Sequence, residues 1–124
     1  MRVKDAVGRY GEELAASHLG QQGMEILARN WRCPEGELDI IGREDGALIF
    51  VEVKTRSTTA FGDPAEAITP AKAQRIHRLA LRWLAEQRAG GNSLGNWSEL
   101  RFDVVTIVRL AEGGPKLRHL RGAF

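Results

Sequence analysis

The spacing of apolar residues changes period several times along the chain, and each change predicts an element. Over about Ala6–Gln22, the residues Val7, Tyr10, Leu14, His18 and Leu19 fall near one face at helical spacing, and Gly23 suits a left-handed cap. Met24–Arg32 reads as a short strand around Ile26 and Leu27. Glu37–Arg43 and Ala47–Arg56 are the clearest strands, and the Asp45-Gly46 pair between them is a strong hairpin signal. A second helix is predicted from Thr69-Pro70, where Thr supplies a capping oxygen and Pro a preset φ, to about Arg88. Ala73, Ile76, Ala80 and Trp83 form its apolar stripe, with Lys72, Arg75, Arg78 and Arg82 on the opposite face. Arg101–Leu110 is rich in β-branched residues and reads as a strand, and Lys116–Leu120 as a short final one. Helix, three strands, helix, one or two strands is an α+β order, a mixed sheet with helices packed on it.

Composition narrows the classes. The 124 residues are 43% hydrophobic and 27% charged, values of a soluble globular domain spanning 1–124 rather than of a disordered chain. No apolar run approaches the ~20 residues of a membrane span, and the first fifteen residues lack an apolar export segment, so no membrane partner and a cytoplasmic location are expected. The single cysteine, Cys33, excludes an internal disulfide, and with three scattered histidines it argues against structural zinc. Charge is segregated. Residues 1–66 hold 8 basic and 12 acidic side chains, whereas residues 67–124 hold 10 basic and 4 acidic ones. A basic C-terminal half points to a polyanionic partner more strongly than the net charge of +2 does.

The hairpin carries the candidate chemistry. With Asp45-Gly46 as a two-residue turn, Glu44 faces Ala47, Gly42 faces Ile49 and Ile40 faces Val51; continuing, Asp39 faces Glu52 and Glu37 faces Lys54. The four charged side chains then share one side of the hairpin. Two acids facing each other on otherwise apolar strands repel and need a compensating charge, and a hard divalent cation with oxygen ligands is the natural one. The alternative is a solvated face on which Glu37 and Lys54 neutralise the pair. Lys54, two residues beyond Glu52, favours phosphodiester hydrolysis. A bound metal lowers the pKa of a water, while the lysine orients that water and stabilises charge at phosphorus.

Asp39 followed by Glu52-Val53-Lys54 resembles the PD-(D/E)xK nuclease motif, with Leu38 in place of the proline. More closely, the chain resembles the YraN-like family of small bacterial proteins, themselves related to archaeal Holliday-junction resolvases. The matching segments include Gly8-x-x-Gly11-Glu12-x-x-Ala15, Asn30-Trp31-Arg32, Gly36-Glu37-Leu38-Asp39, Phe50-Val51-Glu52-Val53-Lys54-Thr55-Arg56, Lys72 and Arg101-Phe102-Asp103. The resemblance implies a restriction-endonuclease-like αβββαβ core. It also implies a Mg²⁺ or Mn²⁺ ion held by Asp39 and Glu52, Lys54 positioning the attacking water, and Glu12 as an additional acid. Glu13 competes with Glu12 on the helix alone, and the match to Gly11-Glu12 decides for Glu12.

Arg56 at the strand end, Lys72 at a helix N-terminus and the Arg75, Arg78, Arg82 row are candidate nucleic-acid contacts, although a solvated basic face is the plainer reading. Gly62 and Pro64 suggest a shaped loop near the site, and the three tryptophans read as core or rim packing. The function expected is a metal-dependent endonuclease acting on branched or structured DNA, with a homodimer cutting two strands. The competing reading is a non-catalytic nucleic-acid-binding protein of DNA uptake or repair that retains the nuclease fold. A third is a structural domain whose charged residues form a satisfied cluster.

Overall fold

A computed structural model describes residues 3–56, 68–109 and 113–124. The elements run α1 (Val3–Gln21), β1 (Glu25–Cys33), β2 (Gly36–Glu44), β3 (Ala47–Arg56), α2 (Pro70–Ala89), β4 (Glu99–Val108) and β5 (Lys116–Leu120). Helix α1 begins three residues earlier than its apolar pattern suggests, and β4 covers Glu99–Val108 instead of 101–110. The shaped loop expected at Gly62 and Pro64, and the Leu110 end of the expected strand, lie outside the described residues.

The five strands form one mixed sheet in the order β1-β2-β3-β4-β5. The turn at Asp45-Gly46 has positive φ at both residues, 48° and 81°, which the type I′ hairpin requires. It sets the expected β2–β3 register, with Glu44 opposite Ala47, Gly42 opposite Ile49 and Ile40 opposite Val51. The parallel β3–β4 pairing needs a crossover, and α2 lies in that connection.

Each face of the sheet buries one helix. On one side Ala15 and Leu19 of α1 pack on Met24, Ile40, Ile49, Val51, Val105 and Ile107. On the other, Ile76, Leu79, Ala80 and Trp83 of α2 pack on Leu38, Ile41, Leu48 and Phe50. Burial of each large side chain of this kind contributes about 1.5–3 kcal/mol. Leu79, rather than Ala73, completes the buried stripe of α2. Thr69 caps that helix as expected, accepting from the Lys72 N–H at 3.1 Å. Trp83 is core, with its ring edge-on to Phe50, and Trp31 and Trp97 are partly buried around it.

Helix α1 lies unusually close to β3. A Cβ placed on Gly11 would stand 1.8 Å from Thr55 Oγ1, so a side chain there would force a shift, and the adjacent Glu12 lines the cleft described below. At the far side of β3, Asp103 of β4 is fully buried. It accepts from Arg101 through both oxygens (2.9 and 3.0 Å) and from the Gly122 N–H, and its Oδ2 lies 2.7 Å from His119 Nε2. Burial alone would raise its pKa, but the bonds from His119 and Arg101 hold it down to about 2. This cluster ties β5 and the residues after it to β4.

Candidate metal centre

The site forms where the central hairpin comes apart. Beyond Ile40 and Val51, β2 pairs only with β1, whereas β3 continues beside β4 from Glu52 to Arg56. Asp39 therefore does not face Glu52 across an unbroken ladder, as ideal hairpin register predicts. On β1, Asn30, between the Arg29–Ile40 and Trp31–Leu38 pairs, has a left-handed conformation (φ 53°). At the opening, Asp39 Oδ2 accepts the Val53 N–H at 2.8 Å, so a side chain replaces the lost strand partner.

The splitting redistributes the four charges. Glu37 lines the same cleft but pairs with Arg32 at 3.2 Å, and the β2–β3 ladder stops before it could sit opposite Lys54 as expected. Lys54 instead lies 3.4 Å from Glu52 Oε1. The helical wheel places Lys72 on the outer basic face of α2. In the structure Lys72 reaches inward, and its ammonium lies 3.1 Å from the same oxygen. The reason is position: the first turn of α2 lies at the cleft, so a long side chain there meets the part of β3 that β2 no longer covers.

Asp39 and Glu52 line the same cleft, and the charge of Glu52 acts on Asp39. Burial first, and then the charge of Glu52, push the Asp39 pKa up to about 8, against the opposing Val53 N–H. Glu12 adds to the negative potential at Asp39. Its own pKa is raised by burial, although a hydrogen bond from Asn30 opposes the shift. Lys54 is shifted down, mainly by burial and then by the neighbouring Lys72.

Glu12, Asp39, Glu52, Lys54 and Lys72 all line one open cleft of about 690 Å³, with Arg32 and Arg75 at its sides. Glu13 stands elsewhere, bound to Arg29 at 3.0 Å. Arg75, Arg78 and Arg82 line a second hollow of about 310 Å³, which shares Arg75 and Glu35 with the first. Arg82 is bound by Glu35 and Glu86. Arg56 is exposed at the end of β3 and does not line the cleft. Cys33 is a free thiol donating to Glu35 at 3.2 Å.

Sequence reasoning missed two features. The inward reach of Lys72 left no trace in a helical wheel, because the wheel does not know where the sheet ends. The Asp103 cluster did leave one: an acid immediately before the Val104–Val108 run is a buried charge that must find partners. Among the described residues, no group of three or more His, Cys, Asp or Glu side chains is gathered tightly enough to hold a metal, so Glu12 stands near the carboxylate pair without completing a trio. No helix among the described residues is long and apolar enough to cross a membrane.

Comparison with known proteins agrees with the resemblance carried by the Gly-Glu-Leu-Asp and Phe-Val-Glu-Val-Lys-Thr-Arg segments. The chain is 51% identical to a UPF0102 protein of Beutenbergia cavernae over 98% of both chains. It is 54% identical to one from Frankia alni, over 100% of this chain and 98% of the other. With one from Nocardia farcinica it shares 53% identity, over 98% and 91% of the two chains. The model of the uncharacterised protein family UPF0102 matches residues 11–107, a stretch holding all four candidate catalytic side chains, and the chain belongs to that family.

Proposed function

We propose that this protein is a metal-dependent endonuclease of the PD-(D/E)xK type that hydrolyses DNA phosphodiester bonds, with branched or structured DNA as its substrate class. The observation that carries the reading is the meeting of the Asp39 and Glu52 carboxylates in the opening between β2 and β3, with the Lys54 ammonium beside them. The bond to the Val53 N–H explains the place of Asp39 in the fold but not the second acid beside it. The charge of that acid helps to push the Asp39 pKa up to about 8, and such a pairing in a cleft favours a functional site.

The donor set fits Mg²⁺ or Mn²⁺. It is made of carboxylate oxygens, with no thiolate or imidazole among the residues lining the cleft except Cys33, which is bound to Glu35. Magnesium sites commonly use one or two protein carboxylates, with waters and substrate phosphates supplying the rest, so a closed trio is not required. Asp39 and Glu52 would hold the ion, with Glu12 acting from α1. When bound, the ion supplies a water of lowered pKa and a counter-charge for a phosphate oxygen. Lys54 would orient the attacking water and stabilise charge developing on the phosphoryl group. Arg75 and Arg78, along the wall leading from the cleft, would bind backbone phosphates. No element that reads base edges is evident among the described residues, so selectivity would come from substrate shape. A homodimer would supply two such sites for two strands, in the cytoplasm.

The test is incubation of the protein with branched, flapped, single-stranded and plain duplex DNA, each with Mg²⁺, Mn²⁺ or chelator. Cleavage that requires the metal and disappears in Asp39→Asn is expected; cleavage persisting in either condition would refute the reading. A second reading is DNA binding without catalysis. It is favoured by one observation, the neutralisation of Glu52 by both Lys54 and Lys72. Metal-independent DNA binding without cleavage of any substrate would select it.

A further inference from the structure

Two ammonium groups converge on one carboxylate oxygen. Lys72 Nζ lies 3.1 Å, and Lys54 Nζ 3.4 Å, from Glu52 Oε1. They are anchored differently. Lys54 is two residues from Glu52 on the same strand, and its backbone is fixed by pairing with Thr106 of β4. Lys72 arrives from the first turn of α2, one helical turn before Arg75, at the side of the open cleft.

A divalent cation on Glu52 would leave three positive groups around one carboxylate. Like charges about 4 Å apart in a half-buried site repel far more strongly than in water. Lys54 is tethered two residues from Glu52 on the same strand, so its ammonium stays near the site. Lys72 has the same four-carbon stem but is anchored on a separate element at the side of the cleft, so its ammonium can move away from Glu52.

We propose that Lys72 is a displaceable counter-ion: it neutralises Glu52 in the absence of metal, yields that place to a divalent cation, and swings outward to bind a phosphate of the nucleic acid. The proposal rests on the metal-dependent reading above and adds a coupling to it. A cation that frees Lys72 makes a phosphate ligand available, and a phosphate that captures Lys72 vacates Glu52. Metal and nucleic acid then strengthen each other's binding by the same factor. Lys72 is thereby a positioning residue for both ligands.

The experiment is calorimetric titration with Mn²⁺ alone of the full chain, as wild type, Lys72→Gln, Lys72→Arg and Asp39→Asn. Removing the competing cation in Lys72→Gln is expected to tighten Mn²⁺ binding about three- to tenfold. Lys72→Arg restores a competing cation and should keep wild-type affinity, while Asp39→Asn should lose binding. Unchanged or weaker binding in Lys72→Gln, with Asp39→Asn still inactive in binding, would overturn the displacement and leave the metal site standing. Absence of Mn²⁺ binding in every protein would overturn both. A measurement on the wild type alone avoids any dependence on how a variant folds: side-chain resonances of labelled lysines followed during Mg²⁺ titration. The Lys72 signal should move to the position of a free lysine while Lys54 keeps its site environment, and an immobile Lys72 signal would overturn the proposal.

Discussion

The Asp39 carboxylate accepts the backbone N–H of Val53 at 2.8 Å, in the place where a strand partner would otherwise be. One side chain thus does two things. It closes the gap left where β2 and β3 part, and it is held against Glu52 in a site that raises its proton affinity. The two roles predict opposite consequences for stability and activity.

Asp39→Asn should abolish metal binding and cleavage while stabilising the fold at alkaline pH. The folded pKa, about 8, lies above the ordinary value of 3.8, so the folded state holds an extra proton between those values and stability falls as pH rises through the window. The variant lacks this penalty. Its advantage in urea unfolding should grow from near zero at pH 4 to on the order of 2 kcal/mol at pH 8.5. An advantage that does not grow with pH would mean that Asp39 is not strained by its neighbours.

Asp103 has the opposite sign. Its folded pKa of about 2 lies below the ordinary 3.8, so its contribution is present above pH 4 and is lost as pH falls toward 2. Asp103→Ala removes the partner of Arg101 and His119 and should cost about 3–5 kcal/mol in chemical denaturation at pH 7. The acid limb of the variant's stability curve between pH 4 and 2 should be flatter than that of the wild type.

Gly11→Ala places a methyl group 1.8 Å from Thr55 Oγ1, and the Thr55 side chain or α1 must shift to admit it. Overpacking of this kind typically costs about 1–3 kcal/mol. Thr55→Ala removes the oxygen responsible, so the double variant should be more stable than the sum of the two single effects predicts. A double-mutant cycle in urea with no such coupling would show that the contact relaxes elsewhere.

Lys54→Met should eliminate turnover while Mn²⁺ still binds, because the carboxylates remain. Single-turnover cleavage, measured beside metal titration, separates the two effects. Retained cleavage would remove Lys54 from the chemistry.

DNA affinity should fall steeply with salt if the α2 arginines contact phosphates. Arg75→Gln and Arg78→Gln should each lower the slope of log K against log salt by about one. Unchanged slopes would assign the nucleic acid to another surface.

Much of the fold is legible in local chemistry. Asp45-Gly46 dictates a turn with two positive φ values, and that turn sets the β2–β3 register through Ile40 and Val51. Thr69-Pro70 dictates the start of α2, and the β-branched run before Val108 dictates β4. Glu12, Asp39, Glu52 and Lys54 are recognisable as a set because their spacing is a property of the chain. Register stops being predictable where the strands part, since no local rule states where a ladder ends; beyond Ile40 and Val51 ideal register no longer sets Glu37 opposite Lys54. Lys72 illustrates the same limit on a helix. Its angular position on α2 follows from its number, but whether that angle faces water or a carboxylate depends on where the helix crosses the sheet. Local residue patterns encode turns, caps and periods. The convergence of three elements on Glu52 is a long-range event, decided by the packing of α1 and α2 on opposite faces of the sheet.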